Sequence, residues 1–112
     1  MNGKAQTLLW FAQRASAGVL AVCVVVHLAT IIYATRAGLS AAEILGRTRG
    51  SVGWAAFYAV FVLAAAVHAP IGLRAVLAEW CGWRGSSRDW ALLLFSGFLL
   101  VIGFQAVKTI FS

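Results

Sequence analysis

Three long apolar stretches constrain this chain more than any other feature of its sequence. They run from Ala15 to Thr35, from Val52 to Leu73 and from Trp90 to Val107, and charged residues lie close to the ends of each one. About 20 predominantly apolar residues are needed for a helix to cross the hydrocarbon core of a bilayer. The sequence therefore predicts an all-α membrane protein with three transmembrane helices, arranged as a single membrane-anchor domain over residues 1–112 within a multi-chain helical bundle.

Composition excludes the main alternatives to a membrane protein. Of the 112 residues, 62% are hydrophobic and 11% are charged, whereas an average soluble domain is roughly half apolar and about a quarter charged. A soluble fold of this size would leave much of its apolar surface in water. The net charge of +6 comes from scattered basic residues, which argues against nucleic acid as a partner and is typical of residues that flank membrane spans.

The two connections between the spans differ in character. In the first, from Arg36 to Ser51, the segment Ser40–Glu43 matches a capping box, so we expect a short interfacial helix over about residues 41–46 that ends at Gly46. The second, from Trp80 to Asp89, is rich in glycine and serine and is flanked by tryptophans. Indole rings collect at the level of the lipid headgroups, so this connection is expected at a membrane surface.

The first two spans each contain one histidine, His27 and His68. Ionisable groups inside a span are costly and indicate function by default, although an imidazole can also serve only as a hydrogen-bonding group between helices. Gly72 lies one turn after His68 on the same face, and Pro70 cannot donate to Ala66, so a bend is expected just before His68. A histidine beside such a clearance can accept a flat ligand, and neutral imidazole is a common axial ligand of haem iron.

The two histidines are predicted to lie at different depths. His27 follows Arg14 by thirteen residues, about 20 Å along a helix, and His68 precedes Arg74 by six, about 9 Å. In an antiparallel pair with both arginines at one interface, the imidazoles would not reach one iron, but a second span that extends to Glu79 would reduce this difference. Arg14 and Arg74 either mark the interface by snorkelling, or neutralise haem propionates or position a quinone headgroup.

Two segments carry a resemblance to a known family. The segment His68–Trp80, HAPIGLRAVLAEW, resembles the H-x-x-x-G-[ILM]-x-x-[VL]-L-x-[DE]-[YWF] segment of the membrane-anchor cytochrome b subunits of succinate dehydrogenase and fumarate reductase (complex II). The segment Gln13–Leu20, QRASAGVL, is similar to the start of that family's first span. The length and both connections are also similar, so the resemblance covers nearly the whole chain.

This resemblance implies an electron-transfer function in a multi-pass anchor of a membrane, expected to be a bacterial inner membrane. The chain would not be catalytic alone but would act as a non-dehydrogenase subunit of a succinate:quinone oxidoreductase-type complex. It would bind haem b and help to form the quinone site, so that electrons pass from iron–sulfur clusters to quinone, the substrate. The implied partners are the flavoprotein and iron–sulfur subunits, together with membrane lipid.

Site residues follow from the same resemblance. It implies that His68 is a haem axial ligand and that Arg14 and Ser16 lie near the propionates and the quinone pocket. Glu79 and Trp80 stand where the family has Asp-Tyr beside the quinone. The change to tryptophan is a departure from the family pattern, because an indole donates a hydrogen bond but does not accept one as a phenol does.

His27 is the second departure from the family pattern. Its position is apolar in the family members with one haem, whereas the two-haem members carry a histidine in their first helix. The chain would then bind one haem b, or two that are shared with a partner chain, with His27 and His68 serving different ones. Because three helices cannot complete a bis-histidine site, a second, different anchor or another copy of this chain is required.

Two other functions remain as alternatives at this stage. The first is a haem-free structural anchor that docks another flavoprotein or iron–sulfur enzyme, in which His68 is a packing residue only. The second is a small transporter or assembly factor, which is weakly supported because the three spans contain no acidic residue for ion coupling.

Overall fold

The computed structural model describes residues 2–112, and within them the chain folds into four helices. They are α1 (Gly3–Ala37), α2 (Ala41–Thr48), α3 (Val52–Trp80) and α4 (Ser86–Phe111). Helices α1, α3 and α4 are long and apolar enough to cross a membrane, and the molecule measures 49 Å along its longest axis, compared with about 30 Å for a hydrocarbon core. The prediction of an all-helical fold with three spans is confirmed.

Helix α3 is the middle helix of the bundle, because α1 and α4 both pack against it. Small side chains dominate the buried positions, among them Ala64 and Ala66 of α3, as is usual where membrane helices approach closely. Helix α4 packs tightly against α3 at Gly103, where an added Cβ would overlap the side chain of Val62. Most large apolar side chains point outward, as expected for a bundle that meets lipid or other chains on its outer faces.

The predicted interfacial helix is present as α2, and its capping box is confirmed. The Ser40 hydroxyl accepts from the backbone N–H of Glu43, and the Glu43 carboxylate accepts from the backbone N–H of Ser40. The predicted end at Gly46 is wrong, because α2 continues to Thr48. A helix tolerates an internal glycine at a cost of about 1 kcal/mol, and the residue that adopts the left-handed conformation after α2 is Gly50, with φ 69°.

Hydrogen bonds tie this part of the chain to the C-terminal end of α4. The Thr48 hydroxyl donates to the carbonyl of Ile110 at 2.9 Å, and the Gly50 N–H donates to that of Phe111 at 2.8 Å. The end of α1, helix α2, the start of α3 and the end of α4 therefore lie at one end of the bundle.

The connection predicted from Trp80 to Asp89 is shorter than expected, since only residues 81–85 lie outside helices. Gly82, with φ 66°, allows the N–H of Trp83 to return to the carbonyl of Leu77 and close the end of α3. The serines and Asp89 after this turn form the first turn of α4 instead of a loop. The N-cap is Gly85, which provides no side-chain hydrogen bond, and the carboxylate of Asp89 in the first turn is favoured by the positive end of the helix dipole.

Candidate functional site

His68 lies at the interface between α3 and α1, opposite Ser16. The Oγ of Ser16 is 3.4 Å from Nδ1 of His68 and also donates to the carbonyl of Gln13 at 3.1 Å. Ser16 is 7% exposed and His68 is half-buried. Because a hydroxyl has one proton, and Ser16 gives it to a carbonyl, the same oxygen accepts from His68. This pairing requires the tautomer of His68 with the proton on Nδ1, which leaves the lone pair on Nε2 for a metal.

Gln13 adds a polar side chain beside Gly72. A Cβ at Gly72 would lie 3.2 Å from Nε2 of Gln13, so the clearance predicted at this glycine is occupied by the glutamine amide. The Oε1 atom of Gln13 is buried and has no hydrogen-bond partner among residues 2–112. Gln13 was not predicted as a site residue, although its spacing of three from Ser16 puts both on one face of α1. We call Gln13, Ser16, His68 and Gly72 the His68 cluster.

His27 lies in a second polar contact between the same two helices. Its Nδ1 is 3.1 Å from the hydroxyl of Tyr58 on α3, and its ring meets those of Tyr58 and Phe61 edge-on at 5.7 and 5.8 Å. Tyr58 was not predicted from the sequence. The available signal was its position inside an apolar span, because a buried phenol usually requires a hydrogen-bond partner.

The two contacts fix the relative depth of the histidines. Helices α1 and α3 run antiparallel, with Ser16 opposite His68 and His27 opposite Tyr58. Tyr58 precedes His68 by ten residues, which corresponds to about 15 Å along the helix. The prediction of different depths is confirmed, even though α3 extends to Trp80. Within one chain the two imidazoles cannot bind one iron.

Arg74 lies in a charged cluster at the junction of α3 and α4. Its Nε is 3.3 Å from Oδ1 of Asp89, and the same oxygen is 3.0 Å from Nη2 of Arg88. Arg88 is 5% exposed, and neither it nor Asp89 was predicted as a site residue. Two guanidiniums therefore share one carboxylate oxygen at the junction of α3 and α4.

The structure does not bring the other predicted residues into the His68 cluster. The guanidinium of Arg14 lies over the indole of Trp10, 5.3 Å from the ring centroid, on an exposed part of α1. Glu79 and Trp80 are exposed at the end of α3, and Trp80 is 83% exposed. Glu79 follows His68 by eleven residues, about 16 Å along the helix, so one ligand would have to be extended, or another chain present, to join them.

No group of three or more His, Cys, Asp or Glu side chains within residues 2–112 could hold a metal ion. A haem does not require such a group, because the porphyrin supplies four nitrogens and the protein only the axial ligands. An Nε2 lone pair held by a hydrogen bond at Nδ1 is the donor that an axial site needs, and each histidine lies where an imidazole can be held in this way.

Comparison with known proteins gives one match. The family model for the succinate dehydrogenase/fumarate reductase transmembrane subunit matches residues 1–107. No individual curated protein and no solved structure matches the chain significantly.

Proposed function

Because the chain belongs to the succinate dehydrogenase/fumarate reductase transmembrane subunit family, we propose that it is a membrane-anchor cytochrome b subunit. In this proposal it binds haem b and contributes to a quinone site in a succinate:quinone oxidoreductase-type complex. Family membership and the three apolar spans make it a multi-pass membrane protein and a subunit of such an oxidoreductase. The dehydrogenase chemistry belongs to the partner subunits in this proposal, and electrons reach the anchor from their iron–sulfur clusters.

The observation that carries the proposal is the hydrogen-bond chain from His68 through Ser16 to the carbonyl of Gln13. In this proposal Nδ1 of His68 carries the proton, and the lone pair of Nε2 is available to a metal. Hydrogen bonds of this kind orient metal-ligating histidines and raise their basicity. Haem bound at Nε2 would supply one-electron transfer, and the surrounding helices would keep it in an environment of low polarity.

His27 supports a second haem by the same reasoning. Its Nδ1 also contacts a hydroxyl of the facing helix, that of Tyr58, and in this proposal the hydroxyl accepts from Nδ1, which leaves Nε2 to a metal. The separation in depth assigns His27 and His68 to different haems. Each site then needs its second axial ligand from another chain, which is either a different anchor or a second copy of this chain.

The charged cluster and the His68 cluster suit the polar ends of the two ligands. Arg74 and Arg88, which share the carboxylate of Asp89, would pair with a haem propionate, and Arg14 would do so from α1. The free acceptor Oε1 of Gln13 suits a hydrogen-bond donor such as a quinol hydroxyl. Glu79 and Trp80 would line the quinone pocket only where a partner chain covers them.

The second candidate function is a haem-free structural anchor that docks another flavoprotein or iron–sulfur enzyme. The observation that favours it is that both histidines already have partners on a neighbouring helix. Polar side chains in membrane bundles often serve only to hold helices together. In this alternative His68 and His27 stabilise the α1–α3 pair and bind no cofactor.

A redox difference spectrum of the purified complex separates these functions. We expect a low-spin b-type spectrum that His68→Ala removes in whole or in part. Val67→Ala is the matched control, because Val67 is the neighbouring residue of α3 and is 43% exposed. A wild-type complex that retains flavin and iron–sulfur clusters but gives no b-type signal would contradict the proposal and favour the haem-free anchor.

A further inference from the structure

Pro70 creates a polar gap in the middle of α3. The helix continues through Pro70 to Trp80, but a proline has no N–H, so it cannot donate to the carbonyl of Ala66 as other residues would. Ala66 is 4% exposed, and its carbonyl lies in a bundle without access to bulk water. In a membrane such a carbonyl requires another donor.

Helix α4 provides that donor. The hydroxyl of Ser96 donates to the carbonyl of Ala66 with 2.8 Å between the oxygens. Ala66 lies two residues before His68, and Pro70 lies two residues after it. The hydrogen bond from α4 therefore replaces the missing helical bond in the same turn that carries the proposed haem ligand.

A second contact holds α3 on the other side of Pro70. Asp89 of α4 binds Arg74, one turn after the proline, at 3.3 Å. The two α4 residues match Ala66 and Arg74 in an antiparallel register, so α4 holds both ends of the segment 66–74. That segment contains His68 and Gly72. It would otherwise be free to bend at the proline, which is the usual site of kinks in helices.

We propose that Ser96 is a positioning residue for His68. It acts through the carbonyl of Ala66 and keeps the turn around Pro70 in one conformation, so that the imidazole stays opposite Ser16. The part of this inference that concerns haem rests on the proposed function. The claim that Ser96 replaces the hydrogen bond missing at Pro70 does not depend on the proposed function. The two parts are tested by different measurements.

The dependence on Pro70 distinguishes this role from ordinary helix packing. In a Pro70→Ala variant, residue 70 regains an N–H that donates to Ala66, so Ser96 is no longer needed. We therefore expect Ser96→Ala to lower the folded-to-unfolded equilibrium constant in mixed micelles by about threefold, the size typical of hydrogen bonds in membrane bundles. In the Pro70→Ala background the same change should have no effect, and Ser96→Thr, which keeps the hydroxyl, should match the wild type.

Thr109→Ala is the control for removal of a hydroxyl from α4, because the Thr109 hydroxyl bonds within its own helix to the carbonyl of Gln105. It should show no dependence on Pro70. An equal loss of stability from Ser96→Ala in the presence and absence of Pro70 would overturn the claim that the Ser96 hydroxyl replaces the helical hydrogen bond missing at Pro70.

The positioning of His68 is read from the low-spin electron paramagnetic resonance signal of the oxidised complex. The principal g values depend on the orientation of the axial imidazoles, which a general loss of stability does not change. Ser96→Ala should shift and broaden the signal, whereas Ser96→Thr and the double variant with Pro70→Ala should restore it. A haem-bearing complex whose signal is unchanged in Ser96→Ala would overturn this inference alone, whereas a wild-type complex without haem would overturn the proposed function as well.

Discussion

His68 on α3 and Ser16 on α1 lie with 3.4 Å between Nδ1 and Oγ, and the serine hydroxyl donates a hydrogen bond to the carbonyl of Gln13. The same arrangement occurs deeper in the pair with the helices exchanged, because His27 belongs to α1 and the hydroxyl of Tyr58 to α3. Each helix thus contributes one imidazole and one hydroxyl. In the α1–α3 pair, Nδ1 of each histidine contacts a hydroxyl of the facing helix, and the two contacts lie at different depths. The first two predictions follow from these contacts.

Ser16→Ala removes the acceptor from Nδ1 of His68. We expect the imidazole to become a weaker electron donor, which stabilises ferrous over ferric haem and raises the midpoint potential, with a loss of haem affinity of about tenfold. Redox potentiometry and haem content per complex measure both effects. Ser16→Thr keeps a hydroxyl and should resemble the wild type, and an unchanged potential in Ser16→Ala would show that the contact does not tune His68.

Tyr58→Phe removes the hydroxyl beside His27 and leaves the aromatic packing nearly intact. If His27 and His68 serve different haems, only one of two spectroscopic components should change, while the component affected by Ser16→Ala stays as it is. Stepwise reductive titration of the complex resolves the two. A single component that responds to both substitutions would contradict the assignment of the histidines to separate haems.

Gly72→Leu tests the space beside His68. An added Cβ there meets Nε2 of Gln13 at 3.2 Å, so alanine requires a shift of a few tenths of an ångström, whereas leucine displaces the glutamine amide. We expect Gly72→Leu to remove most of the haem with little effect on membrane insertion, and Gly72→Ala to have a small effect. Gly18→Leu is the control, because nothing lies within 4 Å of a Cβ at that position. Retention of haem in Gly72→Leu would argue against a role in haem binding for the contact between Gly72 and Gln13.

The spans could be predicted from the sequence because they depend on length and composition alone. The capping box of α2 could also be predicted, since it is local to Ser40 and Glu43. The predicted end of α2 is too early because a glycine at position 46 resembles a stop signal, whereas the chain leaves the helical conformation at Arg49 and turns with a positive φ at Gly50. Local sequence patterns therefore predict the type of a secondary-structure element better than the residues at which it ends.

Contacts between helices could not be predicted in the same way. Whether Ser16 or another small residue of α1 lies opposite His68 depends on helix rotation and register, which packing determines. The importance of Gln13, Tyr58 and Ser96 arises only from these contacts. The unpaired carbonyl of Ala66, in contrast, followed from Pro70 alone, and the structure adds only the identity of its donor.

The capping box of α2 should depend on pH. Hydrogen bonds with Ser40 lower the pKa of Glu43, the larger contribution coming from its backbone N–H, and Arg47 lowers it further. A carboxyl group whose pKa is lower in the folded state stabilises that state above its ordinary pKa. This stabilisation declines as pH falls through the ordinary value and is lost below the lowered one. The protection of the amides in residues 41–48 against hydrogen exchange, taken relative to the intrinsic exchange rate at each pH, should therefore decrease over this range.

Glu43→Gln is the control for this pH dependence. The glutamine retains an acceptor oxygen but does not titrate, so the protection of the α2 amides in this variant should vary less with pH in the acid range. Equal acid sensitivity of the wild type and this variant would show that Glu43 does not set the stability of α2.

Asp89→Asn should destabilise the junction of α3 and α4. Arg88 is 5% exposed and relies on the Asp89 carboxylate, which it shares with Arg74. Removing one partner of a buried ion pair costs several kcal/mol, but the Asp89 side chain is 48% exposed, so solvent screening reduces the expected loss to about 1–2 kcal/mol. Equilibrium unfolding in mixed micelles measures it.

Glu79→Gln removes a negative charge from an exposed position at the same end of the bundle and should have little effect. Adding Arg88→Leu to Asp89→Asn should recover part of the loss, because it removes the uncompensated buried charge, and a further decrease in the double variant would contradict this account of the cluster.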